Sequence, residues 1–289
     1  MPDLTPFLVT GLALGSVYAL AGMGLVVLFR ATGELNFALG AIGAASAMAA
    51  WQAHAWGTPI ALAALCGVAA ATAISAGYGA FVSARVARRS NVIKAVATLG
   101  LALALLGLMY FIWGDTPRRL RLPLSALNTE LFGVRVTGVR VVALVLCVMT
   151  AIGISLLLAR TRLGLQMRAL ADGRDLSALI GIDVERVTLI AWTATGVLAG
   201  TIGILLGSLV RLEPGVLTFM VVPSIAAAIL GQLRSLWLTL AGGLAIGVLE
   251  AIATPFQDVA PYRSLVPFIV AIAVLVLLPA RTFQTTRGS

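Results

Sequence analysis

Phe7–Phe29, FLVTGLALGSVYALAGMGLVVLF, carries no charged residue from end to end. A helix needs about 20 apolar residues to cross roughly 30 Å of hydrocarbon, so this stretch reads as a membrane span. It is too long for the apolar region of a cleaved secretory signal, and the preceding MPDLTPF lacks the basic segment such signals carry. Working outward, similar runs recur along the whole chain. Candidate spans fall at 7–29, 33–51, 58–84, 91–114, 139–160, 187–210, 216–232, 236–257 and 262–280.

These runs leave no separate soluble domain. With 60% hydrophobic residues, 11% charged residues and a mean hydropathy of +1.05, the expectation is one all-α domain over residues 1–289. That domain is a polytopic transmembrane helix bundle of eight or nine spans. The segment 33–51 is the weakest, because Gly33, Glu34 and Asn36 open it; it reads as broken or re-entrant.

The basic residues set an expected orientation. Thirteen of the twenty, Arg30, Arg85, Arg88, Arg89, Lys94, Arg160, Arg162, Arg168, Arg174, Arg186, Arg234, Arg281 and Arg287, are assigned to the cytoplasmic side together with both termini. Arg118, Arg119, Arg121, Arg135, Arg140, Arg211 and Arg263 are left outside, and the long loop after the fourth span is an exception to the positive-inside rule.

The same inventory excludes several chemistries. Arginines flank apolar runs without interleaved aromatics, which argues against nucleic acid. Cys66 and Cys147 lie inside apolar runs and suit packing rather than a disulfide or zinc site. His54 is alone between Trp51 and Trp56, as at a membrane interface. The only lysine, Lys94, follows RRSNVI, which is no phosphate-binding loop, so ATP-driven work requires a partner chain. Glu34 and Glu250 are the acids within apolar runs; such groups are functional candidates because burying them is costly. An ion-coupled carrier commonly holds a richer set.

Charge returns in a short island, Gln166–Val187, QMRALADGRDLSALIGIDVERV. Asp175 is expected as an N-cap, with Leu176, Leu179 and Ile180 on one helical face and Gly181 at the left-handed C-terminal position. Asp183 then caps the next span. Arg168, Asp172, Arg174, Asp175, Asp183 and Glu185 frame the apolar face, which could lie on lipid headgroups or enter a groove on a soluble partner.

Three stretches resemble permeases of ABC importers for branched-chain amino acids. MRALADGRDLSALIGIDVERVTLIAWTATGVLAGTIGILLG (167–207) is similar to that family's cytoplasmic coupling loop, here about 161–186, and the span after it. GLALGSVYALAGMGLVVLFRATGELNFALG (11–40) is similar to the first span and the Asn-Phe-Ala-His-Gly-Glu signature of the first of two paralogous permease types. AAAILGQLRSLWLTLAGGLAIGVLEA (226–251) is similar to its seventh and eighth spans, and Glu250 matches a Leu-Glu-Ala step.

Leu39, Gly40 and Ala41 stand where the family commonly has His-Gly-Glu, and Gly231–Ser235 stands where it has Gly-Gly-x-Gly-Ser. The resemblance implies a transport subunit of the bacterial inner membrane that catalyses no covalent step and binds no cofactor. ATP and Mg would belong to two cytoplasmic ATPase subunits, alongside a second permease and a soluble substrate-binding protein. It implies that Arg168, Asp172, Asp175, Leu176, Leu179, Ile180, Gly181 and Asp183 contact the ATPase. The substrate path is expected near Glu34, Asn36, Phe37, Gly40 and Glu250. Urea or a short amide remains an alternative substrate, and an ion-driven carrier or a non-transporting scaffold a different class.

Overall fold

A computed structural model describes residues 5–125, 128–131, 134–256 and 260–277. Its long helices follow the apolar runs: α1 Thr5–Thr32, α3 Ile60–Val86, α4 Asn91–Trp113, α5 Gly138–Arg160 and α8 Val184–Leu209 are each long and apolar enough to cross a membrane. Between α1 and α3 lies α2, Leu39–Ala55. Between α5 and α8 lie the short α6, Arg162–Asp172, and α7, Arg174–Leu179. After α8 come α9 Pro214–Phe219, α10 Val221–Leu230, α11 Leu236–Ile252 and α12 Val266–Leu277.

Of the nine expected segments, the remaining four are thus shorter helices. The second is broken at its start: Gly33 turns the chain at φ +70°, and α2 begins only at Leu39. The seventh divides at Met220 into α9 and α10. A two-stranded antiparallel hairpin, β1 Asn128–Leu131 and β2 Val134–Thr137, sits in the loop before α5 with Asn128 opposite Thr137.

The core is built around α1. Of its most apolar window 83% is buried, against 61% for α8 and 22% for each of α3, α4 and α5. A helix apolar on every side belongs inside a bundle, and α1 packs on α11, α8, α10 and α5. Small residues allow the closest of these contacts: a Cβ added to Gly247 would stand 2.4 Å from the Gly15 Cα. In lipid, such backbone approach is a main source of helix association.

The two ends of the bundle are distinct. At one, Arg30 donates to the Arg234 carbonyl at 3.3 Å, and Arg30, Leu158, Arg168 and Arg234 border one cavity. That joins the ends of α1 and α5, the helix α6 and the α10–α11 turn. At the other end, Arg118 and Leu212 exchange backbone hydrogen bonds of 3.1 and 3.0 Å, tying the α4–α5 loop to the α8–α9 turn. The α10–α11 turn carries Gln232 and Leu233 at φ +53° and +54°, uncommon values for residues with a Cβ.

This arrangement corrects one expectation. A helix of 28 residues is about 42 Å long, so α1 carries Thr5 and Arg30 to opposite ends of the bundle. The opening stretch therefore does not share a side with Arg30. Arg281 and Arg287 lie outside the described residues.

Candidate functional site

The polar island folds as the α6–α7 pair. Thr161 starts α6 by accepting from the Gly164 N–H at 3.0 Å. Gly173, in extended conformation, ends α6 and is the N-cap of α7. Asp175 therefore lies in the first turn of α7 and is not the cap, because the glycine makes the break two residues earlier. The Gly173 carbonyl accepts from both the N–H and the hydroxyl of Ser177, at 3.0 and 2.8 Å, which turns Ser177 inward at 2% exposure.

The other face of α7 points away from the bundle. Leu176, Leu179 and Ile180 are 70%, 83% and 75% exposed. Gly181 closes the turn at φ +85°, and Asp183 caps α8 by accepting from the Arg186 N–H at 3.0 Å. Arg168 is exposed at the same end, and Asp172 ends α6, its side chain lying outside what is described.

The expected substrate-path residues divide into two groups. Glu34 is buried beside Lys94, with Nζ 4.0 Å from Oε1. The Ser83 hydroxyl lies 3.1 and 3.0 Å from its two carboxylate oxygens. Ser83 ends a π-helical turn, Gly79–Ser83, within α3; such turns add a residue to the helix and are frequent at functional sites. Asn36 accepts from the Ala38 N–H at 3.0 Å, and the Phe37 N–H donates to Thr98 Oγ1 at 3.3 Å, so α4 holds the chain entering α2.

The second group lies nearer the hairpin end. The Tyr18 hydroxyl donates to Glu250 Oε2 at 3.0 Å. The pair borders a cavity of about 270 Å³ that is otherwise walled by Val216, Phe219, Met220, Pro267 and Phe268 among others. Tyr18 also borders a small central cavity with Gly40, Gly43 and Gly203. A Cβ at Gly40 would stand 2.2 Å from the Thr218 carbonyl oxygen, so a side chain there would separate α2 from α9.

The structure brings Gly40 and Glu250 toward Tyr18 and keeps Glu34, Asn36 and Phe37 apart. Sequence reading missed Tyr18, Ser83 and Thr98, and it weighed Lys94 only as a topology signal and as a phosphate ligand. The available signals were a lone lysine four residues into a span and a tyrosine in the middle of one.

Residues 7–275 match the family described as "Branched-chain amino acid transport system / permease component". The chain belongs to that family. It is a permease subunit of an ABC importer, a transport component and not an enzyme, which sets aside an ion-driven carrier and a non-transporting scaffold.

Among its relatives, a Methanocaldococcus jannaschii protein named as a probable branched-chain amino acid transport permease, LivH, is 31% identical over 197 residues. That match covers 64% of this chain and 61% of the relative. The Escherichia coli K12 high-affinity permease LivH is 26% identical across 93% of this chain and 92% of its own length. The Pseudomonas aeruginosa permease BraD is 26% identical across 96% of each.

Proposed function

We propose that this permease subunit carries branched-chain or other apolar amino acids across a bacterial inner membrane. It works with a paralogous second permease, two cytoplasmic ATPase subunits that hold ATP and Mg, and a soluble substrate-binding protein. The shorter apolar helices complete nine passages, the odd number required when Thr5 and the C-terminus lie on opposite sides, and the C-terminus lies in the cytoplasm with Arg30, Arg168 and Arg234.

The observation that carries the reading is the α7 face. Three large apolar side chains in one exposed cluster, on a helix between two spans, need a cover. A groove on an ATPase supplies one. Arg168, Asp175 and Asp183 form the rim, Asp172 is assigned to the same contact from the sequence alone, and Gly181 fixes the angle at which Leu176, Leu179 and Ile180 are presented. Rigid helices that repack between two arrangements then transmit ATPase closure to the transport path.

The Tyr18–Glu250 site supports an amino acid as cargo. A carboxylate and a phenol beside an apolar wall complement an ammonium group attached to an aliphatic side chain, with Gly40 lining the adjoining path. Glu34, Asn36 and Phe37 support the broken start of α2, which is a usual construction beside transport paths. Urea, small and uncharged, makes no use of the apolar wall, although Leu39 and Ala41 depart from the family signature. Reconstitution with the partner subunits tests the reading. Leucine uptake should require both ATP and the binding protein, and excess isoleucine should compete while urea should not. Uptake that proceeds without ATP would overturn it.

A further inference from the structure

The cavity at the Arg30 end of the bundle has walls of two kinds. Arg30, Arg168 and Arg234 reach it from three separate segments, the end of α1, the helix α6 and the α10–α11 turn, and Ser155 and Ser235 border it with them. Its volume is about 270 Å³, and the rest of the wall is apolar, contributed by the end of α5 and the start of α11, with Trp237 at its edge.

The three guanidinium groups are not used alike. Arg30 serves the fold, since it donates to the Arg234 carbonyl at 3.3 Å and so fixes the turn. Arg168 and Arg234 are exposed, and among the described residues neither side chain has a hydrogen-bond or ion-pair partner. Like charges gathered at one cavity repel each other in the free protein, and an anion entering between them relieves that repulsion.

The apolar wall narrows the choice of anion. By length and composition α5 can cross a membrane, and next to the cavity its Leu156 and Leu157 are exposed, as are Trp237 and Leu238 on α11. An exposed tryptophan at a span end marks the level of lipid headgroups. Free phosphate would engage the guanidinium groups and leave these side chains unused, and so would a carboxylate on a soluble subunit. A phospholipid uses both, with its phosphate between the arginines and its acyl chains along α5 and α11. A zwitterionic headgroup carries its own cation close to the phosphate, so a headgroup of net negative charge fits better. Basic pockets between spans at the cytoplasmic surface take such headgroups from the leaflet whose surface is negative.

We propose that Arg168 and Arg234 bind the phosphate of an anionic phospholipid seated between the end of α5 and the start of α11. Such a ligand is neither cargo nor subunit, and it binds whether or not an amino acid is being carried. In place, it ties α6, the helix that leads into α7, to the α10–α11 turn.

The test places the complete importer in phosphatidylcholine nanodiscs that contain photoactivatable phosphatidylglycerol, with the labelled residues mapped by peptide mass spectrometry. Label should fall on α5 near Leu158 and on α11 near Trp237. Unlabelled phosphatidylglycerol should compete for it, whereas extra phosphatidylcholine and inorganic phosphate should not. A basic residue at an anionic membrane surface strengthens binding by about fivefold. Arg234→Gln should therefore raise the phosphatidylglycerol fraction that gives half-maximal labelling by about fivefold, and Arg168→Gln added to it by about 25-fold in all. Arg234→Lys should keep most of the affinity. Arg234 is not among the residues assigned to the ATPase contact, so co-purification with the ATPase subunits reports that its variants are folded. Should Arg234→Gln fail to assemble, the competition series on the unaltered complex still decides. Competition by inorganic phosphate would make the ligand a free anion and overturn the lipid site, as would unchanged half-maximal labelling in an assembled Arg234→Gln complex. Absence of label on both helices also overturns it, and if Arg234→Gln then releases the ATPase subunits, the cavity belongs to their contact instead.

Discussion

The pairing of Glu34 with Lys94 shows what a single residue can and cannot reveal. An acid at the start of an apolar run was evident in the sequence as a costly group needing partners. Ser83 and Lys94 were not evident as those partners. Ser83 is 49 positions away, and the π-turn Gly79–Ser83 that ends with it contains no residue type that announces a change of helical register. Removing one member of a buried pair leaves the other uncompensated, which typically costs about 3–5 kcal/mol. Lys94→Met should therefore lower the thermal midpoint of the purified protein markedly. Adding Glu34→Gln to that variant should recover a large part of the loss, because the remaining groups are then neutral. A Lys94→Met protein that melts with the wild type would show that the pair contributes no stability.

At the scale of the element, α7 is a short helix whose local sequence is nearly sufficient. The spacing of Leu176, Leu179 and Ile180 defined its apolar face, and Gly181 and Asp183 defined its end and the start of α8. The cap was misread, because an aspartate side chain is a strong N-terminal signal while the break at Gly173 depends on how α6 ends. Leu179→Asp should abolish co-purification with the ATPase subunits while leaving the protein in the membrane, and normal co-purification would sink the docking role. Gly181 is a separate case. Nothing lies within 4 Å of where its Cβ would be, so the cost of a side chain is purely that of φ +85°. For a β-branched residue the left-handed conformation costs about 1–2 kcal/mol or more, whereas asparagine tolerates it. Gly181→Val should weaken ATPase association in a pull-down titration, and Gly181→Asn should not.

For the molecule as a whole, the apolar runs were enough to locate the long helices but not to rank them. Mean hydropathy does not separate α1 from α4, at 2.1 and 2.3; burial separates them, and burial depends on partners far along the chain. The hairpin was also missed, because its two four-residue strands are too brief for alternation to stand out. The α1–α11 contact is the test of the architecture. At Gly247 a Cβ would meet the Gly15 backbone at 2.4 Å, with helix on both sides and no flexible side chain to give way. Gly247→Leu should force the two helices apart and yield protein that aggregates on detergent extraction, as size-exclusion chromatography would report. A monodisperse variant would contradict the packing.

The central position of α1 has a consequence for how the protein is made. Among the described helices it is made before the others, yet Tyr18 meets Glu250 only after a further 232 residues. At roughly 5–20 residues per second, that interval is about 12–46 s. During it, the helix destined for the middle of the bundle waits with its glycine face against lipid or the insertion machinery, and of the helices that surround it α11 arrives last.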